Sequence, residues 1–383
     1  MRPLELVEAL SDEELDALTA HNLAELVRSG CTTQVEMSLS LRQAQSYARV
    51  AQRFGARGYL GPMVPGIARL FPIWFRREDR VLDESAAGTL AEIAEALAFA
   101  RSLKVAGGLV YPMMTAHATD THTPETMAAL LAAVREIGTG LHIHLSQSSR
   151  ETDTVRRLRG SSPATWLESL GFAGVPVFAA HLSGIAPGDL DVLKRQTITY
   201  AHCPSAGGAG AGGALQPYPE ALAAGLPSAI GIDTHSNDML ENVKQAVILG
   251  RARARLMAAL GSKDPVKQPS IWTALDGATR VPAAGLRRPD LGRIAEGARA
   301  DLAAVDVRDL LVGVGAVPPE PLNHLLYANG TAVRHVLTEG RFQVFEGHLA
   351  VADEAEVIGR GGDVVRSIWA TLDREGWFQP TPR

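Results

Sequence analysis

Apolar residues along this chain follow two alternating rhythms. Short β-rich runs are each followed by a longer stretch whose apolar positions recur three and four apart, the spacing of an amphipathic helix. The runs are "TTQVEM" (32–37), "RGYLGPMV" (57–64), "GGLVYPMM" (107–114), "GLHIHL" (140–145), "VPVFAAHL" (175–182), "TITYAHCP" (197–204) and "PSAIGID" (227–233). Helical patterns such as "LDESAAGTLAEIAEALAFARSLK" and "TPETMAALLAAVREIG" lie between them. The second opens on Thr123-Pro124-Glu125, a capping residue followed by proline in the first turn.

Strands alternating with helices predict a parallel sheet with helical crossovers. Two α/β architectures suit that pattern, an open doubly wound sheet and a closed (β/α)8 TIM barrel. Polar residues cluster where the strands end: Met113-Met114-Thr115-Ala116-His117, His144, His181, His202 and Asp233. A barrel gathers those ends into one mouth, where its active site lies, whereas an open sheet spreads them along a line. No G-x-G-x-x-G follows the first strand, so a dinucleotide-binding sheet lacks its main signal. The expectation is a (β/α)8 TIM barrel, of which seven βα units are visible.

Beyond about residue 265 the pattern changes. "LGRIAEGARADLAAVDV" and "AVRHVLTEGRFQVFEGHLAV" read as short strands joined by glycine turns, and the last segment as a closing helix. The expected division is a barrel over 1–290, an incomplete β-sandwich module over 291–352 and a helix over 353–383 that packs on the barrel. The glycine-rich "SAGGAGAGGALQP" (205–217) reads as a mobile loop; no Lys-Ser/Thr pair follows it to make a phosphate cradle.

Composition mainly excludes. With 383 residues, 46% hydrophobic, 21% charged and a net charge of −5, the chain is an ordinary globular protein. The acidic balance gives no sign of a nucleic-acid or anionic-membrane surface. No apolar run approaches the roughly 18 residues of a membrane span. The acidic, helical start "MRPLELVEALSDEELDAL" does not look like a signal peptide. Two cysteines, Cys31 and Cys203, rule out a disulfide scaffold and suit a reducing cytoplasm.

The strand-end residues have a chemistry in common. Side chains two apart on a strand share a face, so His142 and His144 point the same way. Imidazole nitrogen and carboxylate oxygen suit Zn²⁺, and also Fe²⁺ or Mn²⁺. His144, His181 and Asp233 are the candidate metal ligands. One divalent metal, zinc first, is the expected cofactor.

"LHIHLSQSSRE", "FAAHLSG", "YAHCPSAGG" and "AIGIDTHSND" follow the order and spacing of the amidohydrolase superfamily, in the branch of s-triazine hydrolases, chlorohydrolases and nucleobase deaminases. "LAELVRSGCTTQVEM" resembles that branch's second barrel strand, "AHATDTHTPE" the loop of the fourth, and "DLGRIAEGARADLAAVDV" the return to a small β-sandwich. The resemblance implies a metal-dependent (β/α)8 hydrolase. By it, His144 and Asp233 match the ligands of barrel strands five and eight, and Asp233 also takes a proton from the attacking water. His181 matches the strand-six histidine that touches the metal or orients its water. His117 matches a histidine that contacts substrate, and His202 and Cys203 lie where the branch often has His-Asn or His-Cys. His142 reads as packed or as support for a ligand. His235 reads equally as a mouth residue or a solvated loop histidine.

Two departures stand out. Gln147 occupies a position where these enzymes usually carry the glutamate that shuttles protons, and an amide cannot exchange protons near neutral pH. Glu151, one helical turn on, reads as a solvent-exposed first-turn residue. The branch's first strand also ends in His-x-His, and no such strand is present. We therefore expect the sequence to begin inside a longer protein. We also expect this chain to bind metal poorly and to associate through unpaired strand edges.

The leading function is hydrolysis of a C–N bond other than a peptide bond in a small heterocycle, by deamination, or dechlorination of one. The alternative is an impaired relative kept for binding or assembly. A third reading is an open sheet that binds a nucleotide or sugar without metal. "GIARLFPIWFRRE" (66–78) offers Phe71, Trp74 and Phe75 as walls for an aromatic ring or as the packing of a lid. Self-association into a homo-oligomer is compatible with the sequence.

Overall fold

The computed structural model describes residues 2–66, 86–106, 108–210, 216–313 and 315–378. All seven β-rich runs form strands of one sheet: β1 (Thr33–Ser38), β2 (Arg57–Val64), β3 (Val110–Pro112), β4 (Met114–Ala118), β5 (Leu141–Leu145), β6 (Val177–His181), β7 (Thr199–His202) and β8 (Ser228–Ile230). The order is β1-β2-β4-β5-β6-β7-β8, with β3 on β2, and the pairs are parallel. The sheet curls into an open (β/α)8-type barrel. The run 107–114 is divided at Met113, whose N–H donates to the Leu60 carbonyl at 2.8 Å. A side chain at Gly61 would collide with the Met113 carbonyl, so this approach needs glycine.

β2, β4 and β6 are buried along their whole length, as parallel strands covered on both faces must be. In β5 the period-two alternation is visible: Leu141, Ile143 and Leu145 are fully buried in the apolar core. His142 and His144 take the opposite face and line the central cavity. Helix starts follow their capping residues. Ser11 and Glu14 form a capping box at helix Asp12–Arg28, and Thr123 with Thr126 does the same at helix Pro124–Ile137.

The C-terminal part forms a four-stranded antiparallel sheet in the order β12-β11-β10-β9: β9 (Leu302–Val305), β10 (Val333–Thr338), β11 (Arg341–Phe345) and β12 (His348–Leu349). Arg57, at the start of β2 and fully buried, is ion-paired with Asp301 and Glu339 and so ties this sheet to the end of the barrel away from the mouth. Helix Glu354–Arg374 packs on helix Asp12–Arg28, and Arg2 meets Glu375 at 2.7 Å.

Among the described residues β1 and β8 do not pair with each other. A cavity of about 1280 Å³ lies at this opening, with apolar walls such as Leu15, Leu26, Val35 and Leu275, and it reaches His144, His181 and Asp233. Among the described residues no helix is long and apolar enough to cross a membrane. Phe71, Trp74 and Phe75 lie outside the described residues, as do 211–215 of the glycine-rich segment. That segment is not wholly a loop: Pro204–Gly208 is helical, with its first four residues buried.

Candidate active site

Parallel register brings the strand ends together. His144 lies opposite Ala118 of β4 and Ala180 of β6, and His181 opposite Leu145. The rings of His144 and His181 stack with centroids 5.2 Å apart and planes 11° from parallel, and the His117 ring is 5.0 Å from that of His144. Oδ2 of Asp233 lies 3.9 Å from Nε2 of His181, too far for a direct hydrogen bond. Four strand ends thus contribute to one cluster. His181 (φ 79°) and Asp233 (φ 57°) both hold the left-handed conformation that non-glycine residues rarely adopt. Such strain at a strand end is characteristic of residues whose side chains must be aimed.

Each imidazole is held in a particular state. Nδ1 of His144 is 2.7 Å from the carbonyl oxygen of His117, which can only accept. Nδ1 therefore carries the proton, and Nε2 offers its lone pair to the cavity. Burial pushes the His144 ring down to about 4, and drives His117 and His181 well below the ordinary histidine range. Burial also raises the Asp233 carboxyl, against a smaller opposing pull from His235. The Asp233 side chain keeps 26% exposure, so it is open to a small molecule entering the mouth.

The remaining candidates are placed as follows. His202 is buried, stacked on Tyr218 at 4.4 Å, and linked to His181 through Gln216. His142 is buried, and burial pushes it down to about 3. His235 is exposed, its Nδ1 2.7 Å from the Thr234 hydroxyl. Gln147 has its side-chain oxygen buried with no hydrogen-bond partner among the described residues. Glu151 is not the exposed first-turn residue expected: it is 1% exposed. Its carboxylate accepts from the Thr119 hydroxyl at 2.6 Å and the Gln147 N–H at 2.7 Å, bridging the ends of β4 and β5. Burial, then the neighbouring Asp120 charge, raises it.

Residues 2–342 match the Amidohydrolase family model. The chain belongs to the amidohydrolase family. It is 27% identical over 357 residues to a 5-methylthioadenosine/S-adenosylhomocysteine deaminase of Pelotomaculum thermopropionicum, covering 92% of this chain and 75% of that relative. Two solved structures carry the same fold. An adenosine deaminase of Xanthomonas campestris with bound zinc superposes with a TM-score of 0.75 at 21% identity, over 95% of this chain and 78% of the other. The zinc complex of atrazine chlorohydrolase from Arthrobacter aurescens gives 0.75 at 19%, over 93% and 78%. Family membership supports a hydrolase acting on C–N bonds over the open-sheet reading.

The donors of this amidohydrolase chain fit a divalent metal ion only in part. With its proton on Nδ1, His144 keeps the Nε2 lone pair, and its ring is fixed from the other side, the usual arrangement of a ligating histidine. Asp233 offers a carboxylate. Yet among the described residues no group of three or more His, Cys, Asp or Glu side chains could hold a metal ion, and a catalytic zinc usually takes three protein ligands.

Gln216 was not among the sequence candidates, because it stands at the edge of the glycine-rich segment. The one available signal was the run "QPYPE" that it opens, where two prolines stiffen the backbone immediately after a polar side chain.

Proposed function

We propose that this chain deaminates a small heterocycle, an aminopurine nucleoside first, by hydrolysis of the exocyclic C–N bond. The observation that carries the reading is the cluster of His144, His181 and Asp233 around one space at the mouth. The deaminase names of its relatives support the substrate class. The cofactor we assign is one divalent cation, zinc ahead of iron or manganese, with His144 and Asp233 as this chain's own ligands. Such an ion, when bound, lowers the pKa of water to roughly 7.

The side chains divide the remaining work. A water oxygen attacks the ring carbon, and the Asp233 carboxylate, still partly open to the cavity, takes its proton. His181 Nε2–H donates to the charge that develops at the reacting centre, while His117 and His202 border the substrate. The proton held by Asp233 then passes to the amino nitrogen, the C–N bond breaks, and ammonia leaves. Gln147 can orient a group by hydrogen bonding but supplies no proton. His235 reaches the substrate only at the outer rim. Two free cysteines, Cys31 and Cys203, suit the cytoplasm.

The test is ammonia release from adenosine-type nucleosides by the zinc-loaded chain, with Asp233→Asn as the inactive control. Two observations favour the second reading, an impaired family member that binds without turnover: the incomplete donor set and Gln147. Nucleoside binding by calorimetry with no ammonia released would establish that reading in place of the first.

A further inference from the structure

Gln216 sits between two of the mouth histidines, and its side-chain amide touches both. Its Oε1 lies 2.9 Å from the backbone nitrogen of Cys203, 2.9 Å from His202 Nδ1 and 3.2 Å from the Tyr200 hydroxyl. Its Nε2 lies 3.2 Å from His181 Nδ1. The residue is 3% exposed, so water does not substitute for these partners.

The direction of every bond follows from one of them. The Cys203 N–H can only donate, so the amide atom facing it must be the oxygen, and the amide nitrogen must face His181. An amide NH₂ only donates, so His181 Nδ1 must accept. An amide oxygen only accepts, so His202 Nδ1 must donate. A neutral imidazole has one N–H. The two rings are therefore held in opposite tautomers, His181 with its proton on Nε2 and His202 with its proton on Nδ1. The Tyr200 hydroxyl lies 3.1 Å from the His181 carbonyl and 3.2 Å from His202 Nδ1, so it braces the same two residues.

We propose that Gln216 is a positioning residue that fixes His181 as an Nε2–H donor aimed across the mouth, and so removes it from the metal ligands and gives it to the substrate. A nitrogen that carries a proton has no lone pair for a metal ion. His181 Nε2–H instead lies beside Asp233 Oδ2, 3.9 Å away on the wall of the same cavity, so a donor and an acceptor stand side by side where water and the leaving group meet. His202 is left with its lone pair on Nε2, which is buried with no partner among the described residues. The tautomers stand on hydrogen-bond geometry alone; the part given to His181 in turnover rests on the deaminase reading.

The experiment is ¹⁵N–¹H correlation spectroscopy of the full chain labelled at histidine, which reports the nitrogen that holds each ring proton. Signals of the two rings are identified by their loss in His181→Asn and His202→Asn. The expected parent spectrum has His181 protonated at Nε2 and His202 at Nδ1. Gln216→Glu places an acceptor where the amide NH₂ was, so the His181 proton should move to Nδ1 while His202 keeps its own. Gln216→Met, which has neither group, should leave both rings as tautomer mixtures. With nucleoside and zinc, Gln216→Glu should lower kcat by about 10²-fold, the scale of one lost donor to developing charge. Nδ1–H on His181 in the parent, or unchanged tautomers in both Gln216 variants, overturns the proposal. A chain with these tautomers but no ammonia release counts against the deaminase reading alone; an active chain without them counts against Gln216 alone.

Discussion

The backbone N–H of Gln147 donates a 2.7 Å hydrogen bond to Oε2 of Glu151, a residue four positions further along that also accepts the Thr119 hydroxyl at 2.6 Å. One buried carboxylate thus braces the segment after His117 to the segment after His144. Glu151→Ala leaves those donors bare in a buried site, at about 1–3 kcal/mol for each. Urea unfolding should show a loss of at least about 2 kcal/mol, with a fall in kcat because both histidines lose their support. Glu151→Gln retains one acceptor and should recover part of both losses. Equal midpoints for the Ala variant and the parent would show that the brace carries no load.

How far the site was legible depends on whether its contacts are local. The shared face of His142 and His144 follows from the period of a strand, and the strand-end clustering of His117, His181 and Asp233 follows from parallel topology. Glu151 was misread because its helix position looks like a solvated first turn; it is buried by the Thr119–Thr121 turn folding over it. Gln216 was invisible for a related reason. Its partners are 13 to 35 residues away, and no local pattern announces a side chain that bridges two strand ends. The same holds for Arg57, whose acidic partners come from the distant β module.

Gln147 presents a buried side-chain oxygen with no partner among the described residues. A carboxylic acid there could give a proton to a leaving nitrogen, and burial would raise its pKa towards neutrality. Gln147→Glu should therefore raise kcat for ammonia release, by 10²-fold or more if proton transfer limits the parent. The variant's rate should also acquire a falling limb at alkaline pH, where the new acid ionises. A profile parallel to the parent's would mean that position 147 does not face the reacting centre.

His122 is buried with its Nδ1 3.1 Å from the Thr126 hydroxyl, and burial pushes its pKa from the ordinary 6.5 down to about 4. Between those values the unfolded chain takes up a proton at this ring and the folded chain does not. Stability from this residue is therefore complete above pH 6.5 and is lost as the pH falls towards about 4, at about 1.4 kcal/mol per unit. His122→Asn removes the titration. The stability gap between parent and variant should narrow at about that rate as pH falls through the window. A gap that stays constant from pH 7 to 4 would place the ring's pKa near its ordinary value.

Arg57 is fully buried where the barrel meets the antiparallel sheet, and Asp301 and Glu339 neutralise it. Asp301 does a second job, accepting the Glu339 N–H at 3.0 Å through its other oxygen. A buried guanidinium that loses a partner keeps its desolvation cost and forfeits the attraction that offset it, a penalty of about 3–5 kcal/mol. Glu339 remains in Asp301→Ala but is itself partly exposed and shared with Arg299, so we expect a loss of about 3 kcal/mol. The double variant Arg57→Met/Asp301→Leu removes the fully buried cation and its buried partner, leaves Glu339 partly exposed and paired with Arg299, and fills the space with apolar atoms, so it should be markedly more stable than Asp301→Ala alone. Urea midpoints of the three proteins decide the matter. If the double variant is the least stable of them, the ion pair is a net source of cohesion between barrel and β module; the opposite order would mean that it orients the two at some expense in stability.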